Sequence, residues 1–174
     1  MRPVHIPSDK PMAKDDKRIF VDASQCLACR ACEIACALRH SESGELLDAL
    51  LEQPRARPRV EVRETKGKIA PVQCMQCARP KCVEVCEPGA LVKDSESGLV
   101  TLDQSKCTGC WLCVEACPFH AIFADEERGV AYKCDLCEGR PACVAACPTS
   151  ALFFGTREQF RARSAEREPV ASKE

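Results

Sequence analysis

Cysteine is the residue type in this chain whose number and spacing could support chemistry. There are 16 cysteines among 174 residues. The run from Cys107 to Pro118 has the spacing C-x-x-C-x-x-C-x-x-x-C-P. Three thiolates on so tight a loop can bind three iron corners of one 4Fe–4S cubane, and the fourth, one turn later, points to a neighbouring cubane. The proline ends that turn and sends the chain on in an extended conformation. This spacing predicts iron–sulfur ligation.

The same arrangement occurs four times and uses every cysteine. The second and fourth runs have a longer gap before their third cysteine. The four quartets are Cys26, Cys29, Cys32 and Cys36; Cys74, Cys77, Cys82 and Cys86; Cys107, Cys110, Cys113 and Cys117; and Cys134, Cys137, Cys143 and Cys147. Because no cysteine is left over, the pattern predicts four 4Fe–4S clusters held by thiolates alone.

Disulfides and structural zinc are the alternatives for so many cysteines. Disulfides need an oxidising compartment, and the sequence shows no signal peptide. Zinc sites usually present two C-x-x-C pairs separated by a longer spacer. Here three or four cysteines crowd into each run, which favours cubanes over a zinc-stabilised interaction protein.

The composition limits the function classes. The formal net charge of −1 counts each cysteine as neutral. Four oxidised cubanes would each carry about −2, which gives the loaded protein a net charge of about −9. Lysine and arginine are then interpreted as compensating or docking charges. No basic stripe with interleaved aromatic residues is present, so we expect no nucleic-acid binding. With 6 Phe, 1 Trp and 1 Tyr, we expect folding to depend on cluster insertion.

Hydropathy predicts no direct membrane insertion. No run approaches the roughly 18 apolar residues of a membrane span. Residues 1–10 contain neither a twin-arginine pair nor an apolar stretch. We therefore expect a cytoplasmic protein in a reducing, anaerobic setting.

The elements between the quartets predict an α+β fold of short strands, hairpins and short helices. Alternation and turn residues predict strands at 18–22, 59–63, 69–72, 90–94, 99–103, 121–125, 130–133 and 151–155. Helical segments are predicted at 30–38, where no proline follows the fourth cysteine, and at 46–51. The repeat is strand, cysteine loop, short helix, strand, so four repeats predict two two-cluster modules.

Three domains follow from this pattern. Residues 1–17 are predicted to be an N-terminal arm, 18–156 the four-cluster domain, and 157–174 a charged C-terminal tail. The tail could be a short surface helix, a docking arm or a solvated segment. Residues 39–70 are an insertion between the first two quartets, which could contact a partner or form a solvated hairpin.

The order and gap lengths of the quartets resemble the four-cluster electron-transfer subunits of the DMSO reductase and formate dehydrogenase type, over residues 18–156. The small size resembles the soluble branch of that group, whose members serve carbon monoxide dehydrogenase, formate hydrogenlyase and tungsten aldehyde oxidoreductases. The resemblance implies two interleaved ferredoxin-like modules. The first quartet pairs with the fourth, and the second with the third.

Four ligand sets follow from the resemblance together with the rule for the fourth cysteine. They are Cys26, Cys29, Cys32 and Cys147; Cys134, Cys137, Cys143 and Cys36; Cys74, Cys77, Cys82 and Cys117; and Cys107, Cys110, Cys113 and Cys86. Some relatives replace one ligand with Trp. Trp111 lies between two intact ligands here, so four complete cubanes are expected.

The predicted function is single-electron conduction without catalysis. The sequence has no G-x-G-x-x-G, P-loop or nucleophile elbow, and His5, His40 and His120 are predicted to be isolated surface residues. The resemblance implies a catalytic oxidoreductase partner, with a molybdenum- or tungsten-pterin enzyme favoured and carbon monoxide dehydrogenase or hydrogenase as other candidates. A further flavin or ferredoxin redox partner is also implied. A free polyferredoxin shuttle is the alternative.

Two lysines directly precede ligand loops. Lys106 comes before Cys107 and Lys133 before Cys134. Positive charge at either place would raise the potential of a nearby cluster. The competing interpretation is that both are ordinary surface lysines.

Overall fold

Short helices and two-stranded antiparallel sheets alternate along the chain, in an arrangement compatible with a ferredoxin-like α+β fold. The computed structural model describes residues 17–65 and 67–167. The predicted N-terminal arm lies outside the described residues except for Lys17, and so do residues 168–174. The predicted turn residue Lys66 is outside them too.

The strands and helices agree closely with the sequence pattern. The strands are β1 (Arg18–Val21), β2 (Val60–Thr65), β3 (Lys68–Gln73), β4 (Leu91–Lys93), β5 (Val100–Leu102), β6 (Ile122–Asp125), β7 (Val130–Lys133) and β8 (Leu152–Gly155). The helices are α1 (Ala31–Arg39), α2 (Leu46–Leu51), α3 (Lys81–Glu84), α4 (Leu112–Ala116), α5 (Ala142–Ala145) and α6 (Arg157–Arg167). Helix α1 continues past Cys36, as expected where no proline follows.

Three of the sheets are local hairpins, and the fourth joins distant parts of the chain. Strands β2–β3, β4–β5 and β6–β7 pair with their sequence neighbours. Strand β1 pairs with β8, with Arg18 opposite Gly155 and Val21 opposite Leu152. Since β1 leads into the first quartet and β8 follows the fourth, this pairing brings those two quartets together. Helix α1 also packs on α5, and α3 packs on α4.

Two separate cores follow from these contacts. One contains buried cysteines of the first and fourth quartets together with Ile19, Val60, Val62, Leu136 and Leu152. We call this region the 1/4 half. The other contains buried cysteines of the second and third quartets together with Leu91, Val100, Ala121, Ile122 and Ala131. We call it the 2/3 half. The insertion of residues 39–70 belongs to the 1/4 half, because Val60 and Val62 of β2 lie in its core.

The beginning of the charged tail is a packed helix. In α6 the ring of Phe160 stacks on Phe20 of β1 at 5.0 Å and lies 6.1 Å from the ring of Phe153 of β8. The guanidinium of Arg163 lies 5.1 Å from the centre of the Phe153 ring and donates to the Ser150 carbonyl at 2.8 Å. Of the alternatives for the tail, the surface helix is the one that residues 157–167 adopt, and it covers the β1–β8 sheet.

No helix in the described part of the chain combines the length and the apolar character needed to cross a membrane.

Candidate iron–sulfur cluster sites

The first and third quartets begin with the same side-chain turn. The carboxylate of Asp22 accepts hydrogen bonds from the backbone N–H and the hydroxyl of Ser24, at 3.1 and 2.6 Å. Asp103 accepts the equivalent bonds from Ser105, at 3.0 and 2.6 Å. Each turn closes a short 3-10 segment that ends at the first cysteine of its quartet. A D-x-S-x-C repeat encodes this turn at both places, and it was not among the motifs predicted from the sequence.

The residue before the second cysteine is left-handed in all four quartets. Its φ is 55° at Ala28, 49° at Gln76, 68° at Gly109 and 62° at Leu136. Such a conformation costs of order 1–3 kcal/mol for a residue other than glycine. It also turns successive backbone N–H groups to one side, which is how anion-binding concavities are built at iron–sulfur sites. The same strained position recurring four times indicates one common ligand loop.

Two clefts are each lined by four cysteines drawn from two quartets. One cleft is lined by Cys26, Cys29, Cys32 and Cys147, together with apolar residues such as Leu152. The other is lined by Cys107, Cys110, Cys113 and Cys86, beside Trp111. In each cleft three cysteines come from one ligand loop and one comes from the end of another.

The remaining eight cysteines lie deeper in the fold. Burial raises the pKa of the Cys143 thiol, with Cys134, Cys36 and Cys137 adding to the effect. Burial likewise raises the pKa of Cys82 to about 12, with Cys74, Cys117 and Cys77 as neighbouring thiols. The structure therefore also brings these two groups of four together, although the assignment of ligands to individual clusters remains a prediction.

Backbone N–H groups donate to the sulfur of three of the fourth cysteines. The donors and distances are Arg59 to Cys36 at 3.2 Å, Leu91 to Cys86 at 3.3 Å and Ala121 to Cys117 at 3.4 Å. Hydrogen bonds of this kind favour thiolate over thiol and tune a bound cluster.

The thiols must lose protons when they bind metal. All cysteines are free, and no disulfide is formed. Burial raises the pKa of Cys134 to about 12 and that of Cys113 to about 11. Since a thiolate is the metal ligand, loading these sites releases protons.

The spacing of the cysteine sulfurs does not match a zinc site. Tetrahedral zinc with bonds of about 2.3 Å brings its sulfurs within about 4 Å of one another. Among residues 17–65 and 67–167, one set of side chains has three ligand atoms within 4.8 Å of one another, namely His40, Asp135 and Cys137. No three cysteine sulfurs in these residues lie so close together. The cysteine sulfurs are therefore spaced too widely for a tetrahedral zinc site.

The 4Fe–4S dicluster domain family matches residues 65–157, which hold the second, third and fourth quartets. The chain belongs to this family. As a 4Fe–4S dicluster protein it is an iron–sulfur protein of the electron-transport type, and the resemblance to electron-transfer subunits is confirmed.

Three similar proteins illustrate the family. The "Iron-sulfur protein" of Rhodospirillum rubrum is 36% identical over 137 residues, covering 73% of this chain and 71% of that protein. "Electron transport protein HydN" of Escherichia coli (strain K12) is 36% identical over 137 residues, covering 70% of this chain and 76% of that protein. "Thiosulfate reductase electron transfer subunit PhsB" of Salmonella typhi is 36% identical over 133 residues, covering 76% of this chain and 65% of that protein.

Among solved structures, the "Active site complex BamBC of Benzoyl Coenzyme A reductase in complex with Zinc" contains a chain that is 22% identical. The match covers 86% of this chain and 88% of that chain, with a TM-score of 0.39.

His40 is not the isolated surface residue that the sequence predicted. Its Nδ1 lies 2.8 Å from the Cys36 carbonyl, and its Nε2 lies 3.3 Å from a carboxylate oxygen of Asp135. Arg59 also pairs with Asp135. Burial lowers the pKa of His40, but its hydrogen bonds to Asp135 and Cys36 outweigh this and raise the pKa to about 9. The prediction was wrong because Asp135 is 95 residues away in sequence. Of the other two histidines, His120 is exposed and His5 lies outside the described residues.

Proposed function

We propose that this chain is the electron-transfer subunit of a heteromeric oxidoreductase, with four 4Fe–4S clusters that relay single electrons to or from a catalytic subunit. The observation that carries the proposal is the pair of clefts, each lined by three cysteines of one quartet and the fourth cysteine of another. That is the arrangement a two-cluster iron–sulfur module needs. When bound, the clusters supply one-electron conduction, and the protein sets their spacing and surroundings.

We propose the four ligand sets implied by the family resemblance, arranged as a linear path. Cys29 and Cys110 are exposed and belong to the first and last sets on this path. Cys134 and Cys74 belong to the two middle sets, and their thiols are close enough that Cys74 helps to raise the pKa of Cys134, after burial as the main cause. Electrons would therefore enter and leave near Cys29 and Cys110. These ends correspond to the 1/4 half and the 2/3 half.

A conducting role without catalysis is supported by the ligand count. Each proposed cluster takes four thiolates, which leaves no iron position open for a substrate. Three relatives carry printed names as electron transfer or electron transport proteins. The reaction itself would therefore occur on another subunit.

A large apolar surface supports a stable partner rather than a free shuttle. The four leucines of α2 are between 51% and 78% exposed. They occupy neighbouring positions on a helix of six residues. Contiguous exposed apolar patches of this kind usually mark protein–protein contact sites. We propose that this surface, made of Leu46, Leu47, Leu50 and Leu51, contacts the catalytic subunit.

The partner enzyme, the cellular location and the domain boundaries can each be proposed. We favour a molybdenum- or tungsten-pterin enzyme as the partner, because the quartet order resembles subunits that serve such enzymes. We propose a cytoplasmic location, since so many free thiols and clusters require a reducing compartment. We also propose the boundaries 1–17, 18–156 and 157–174 for the arm, the cluster domain and the tail.

The test is to tag the chain in its native host, purify it without oxygen and measure metals on the intact material. We expect a larger subunit to co-purify, with about sixteen irons per copy of this chain and with molybdenum or tungsten. A lone chain that contains iron alone would favour the polyferredoxin shuttle. Zinc in place of iron would overturn the proposal.

A matched pair of variants separates docking from cluster loading. The double variant Leu47→Ser with Leu51→Ser should lose the partner and keep its iron, because these side chains are exposed and lie outside the cysteine quartets. Val92→Ser is the control, since Val92 is an exposed apolar residue on β4. It should keep both the partner and the iron. Retention of the partner by the leucine double variant would show that α2 is not the contact surface.

A further inference from the structure

Lys133 is a buried lysine without a carboxylate partner among residues 17–65 and 67–167. It is 3% exposed, at the end of β7. Its ammonium donates to the Cys134 carbonyl at 3.0 Å. Within the part of the chain that the structure describes, it forms no ion pair with Asp or Glu. A buried charge is strongly unfavourable unless an opposite charge compensates it. The fold therefore requires some other source of negative charge near this ammonium.

The cysteines of the two middle ligand sets would supply such charge once they bind clusters as thiolates. Burial raises the pKa of both Cys82 and Cys134 to about 12, and Lys133 is among the charges that act in the opposite direction. Cys134 opens the fourth quartet, and Cys82 belongs to the second. One ammonium therefore acts on ligands of both the 1/4 half and the 2/3 half.

A buried glutamine places this lysine at the junction of the two halves. Gln76 is 1% exposed and lies between Cys74 and Cys77 of the second quartet. Its Nε2 donates to the same Cys134 carbonyl at 3.4 Å, and its Oε1 accepts from the backbone N–H of Val100 at 2.7 Å. The Cys134 carbonyl thus joins a ligand loop of each half, with the ammonium beside it.

Lys106 occupies the same place in sequence and has a different environment. It directly precedes the first cysteine of the third quartet, as Lys133 does for the fourth. Its side chain is 60% exposed and pairs with Asp103 at 3.4 Å. Solvent and the Asp103 carboxylate compensate the charge of Lys106. Lys133 has little contact with solvent and, in the described part of the chain, no carboxylate beside it. Lys106 fits the ordinary surface interpretation, and Lys133 does not.

We propose that the Lys133 ammonium is the counter-charge of the two middle clusters and raises the reduction potential of at least one of them. This inference rests on the proposed function, because it assumes a cluster on each side of the lysine. Reduction of a middle site adds one electron, which is taken from the neighbouring site along the path and leaves that site oxidised by one electron. No proton is needed, since the fixed ammonium compensates the added negative charge. Lys133 thereby favours residence of the electron at the centre of the path.

The test is an anaerobic redox titration of the complete protein, followed by electron paramagnetic resonance. The variants Lys133→Met and Lys133→Gln remove the charge, and the glutamine can keep the hydrogen bond to the Cys134 carbonyl. We expect each to weaken reduction of at least one cluster tenfold or more, which is a midpoint shift of about 59 mV to lower potential for one electron. Lys133→Arg keeps the charge and should stay near wild type. Lys106→Met is the matched control and should shift no cluster by a comparable amount.

The midpoints and the iron contents of the variants together support or overturn the role of Lys133. Unchanged midpoints in Lys133→Met or Lys133→Gln with full iron content would overturn the inference. If both neutral variants lose iron while Lys133→Arg keeps it, the positive charge is required for cluster binding, which supports the counter-charge role. If all three lose iron alike, the lysine acts through its shape and the inference fails. A wild-type iron content well below about sixteen per chain would instead defeat the proposed function, independently of these variants.

Discussion

The two halves of the molecule share one cysteine pattern and differ in what surrounds it. In the 2/3 half the helices α3 and α4 have 4 and 5 residues, and two compact hairpins complete the core. In the 1/4 half α1 has 9 residues, the β2–β3 hairpin packs into the core, and α6 covers the sheet. The comparison shows that one cysteine pattern is held in two differently built surroundings. The additions that could serve a partner are concentrated on the 1/4 half.

Removal of iron should have the largest effect and should affect the halves unequally. Cluster binding supplies much of the folding free energy of a chain with so small an apolar core. Chelation under reducing conditions should therefore unfold most of the protein. The 1/4 half has the additional packing of α6 and β2–β3, so its peptides should keep more protection in hydrogen exchange than those of the 2/3 half. Equal protection in both halves would remove the distinction, and a native-like exchange pattern without iron would contradict the role of the clusters in folding.

Gly109→Ala should produce the next largest effect, in the 2/3 half. Gly109 has a φ of 68°, and a Cβ there would lie 2.6 Å from the Gly129 carbonyl oxygen. Strain and the backbone contact together predict a loss of about 2 to 3 kcal/mol in the free energy of unfolding. Ala28 occupies the equivalent left-handed position of the first quartet, with a φ of 55°, so Ala28→Gly should change stability by less than about 1 kcal/mol. Denaturant titration of the loaded proteins measures both. Equal tolerance of the two substitutions would show that the Gly129 carbonyl does not restrict the side chain at position 109.

Phe160→Ala should have a moderate effect that is confined to the 1/4 half. Its ring stacks on Phe20 and touches Phe153. Because Phe160 is only partly buried, we expect a loss of about 1.5 to 2 kcal/mol, below the range for a fully buried phenylalanine. Limited proteolysis and hydrogen exchange should show loosening of α6, β1 and β8. Phe119→Ala is the control, since Phe119 is an exposed residue of the 2/3 half. It should change the free energy of unfolding little. Loosening of β4–β5 in the Phe160 variant would contradict the separation of the halves.

Asp125→Asn should have the smallest effect, at a contact between the halves. The buried Asp125 pairs with Arg128 at 2.8 Å, and Arg128 also donates to the Pro54 carbonyl in the 39–70 insertion at 2.8 Å. We expect the free energy of unfolding to fall by about 1 kcal/mol near neutral pH. Burial raises the pKa of Asp125, but the hydrogen bonds and charge of Arg128 outweigh this and hold it below 3.8.

The depressed pKa fixes the pH dependence of that difference. The unfolded carboxyl binds its proton at higher pH than the folded one, so the stabilisation is complete above pH 3.8 and is lost as the pH falls through the folded pKa. The gap in unfolding free energy between wild type and Asp125→Asn should therefore stay constant from about pH 8 to about pH 5. A gap that changes across this range would show that another group titrates at the contact.

Local patterns in the sequence predicted most of the elements. The hairpins β4–β5 and β6–β7 and the helix α2 were predicted because alternation, turn residues and apolar spacing are properties of neighbouring residues. The cysteine quartets were recognised from spacing of the same local kind, and their grouping into ligand sets stays a prediction. The extension of α1 to Arg39 followed from the missing proline after Cys36.

Contacts between distant residues could not be predicted in this way. The pairing of His40 with Asp135, the packing of Phe160 on Phe20 and the burial of Lys133 each depend on how separate repeats meet. Lys106 and Lys133 look alike in sequence because both precede a ligand cysteine. The structure distinguishes them, because β7 ends inside the junction of the two halves whereas the turn before Cys107 lies at the surface.

Iron content of double cysteine variants tests the central claim most directly, namely that each cluster takes ligands from two quartets. The variant Cys29→Ala with Cys147→Ala removes two ligands of one proposed set and should lose one cluster, leaving about twelve irons. The variant Cys29→Ala with Cys143→Ala removes the same number of thiols from two proposed sets and should damage two clusters, leaving as few as about eight irons. Iron analysis and Mössbauer spectra of the anaerobic proteins distinguish these results. If the first pair damages two clusters and the second does not damage more, the ligands are not shared between the first and fourth quartets in this way, and the account is wrong.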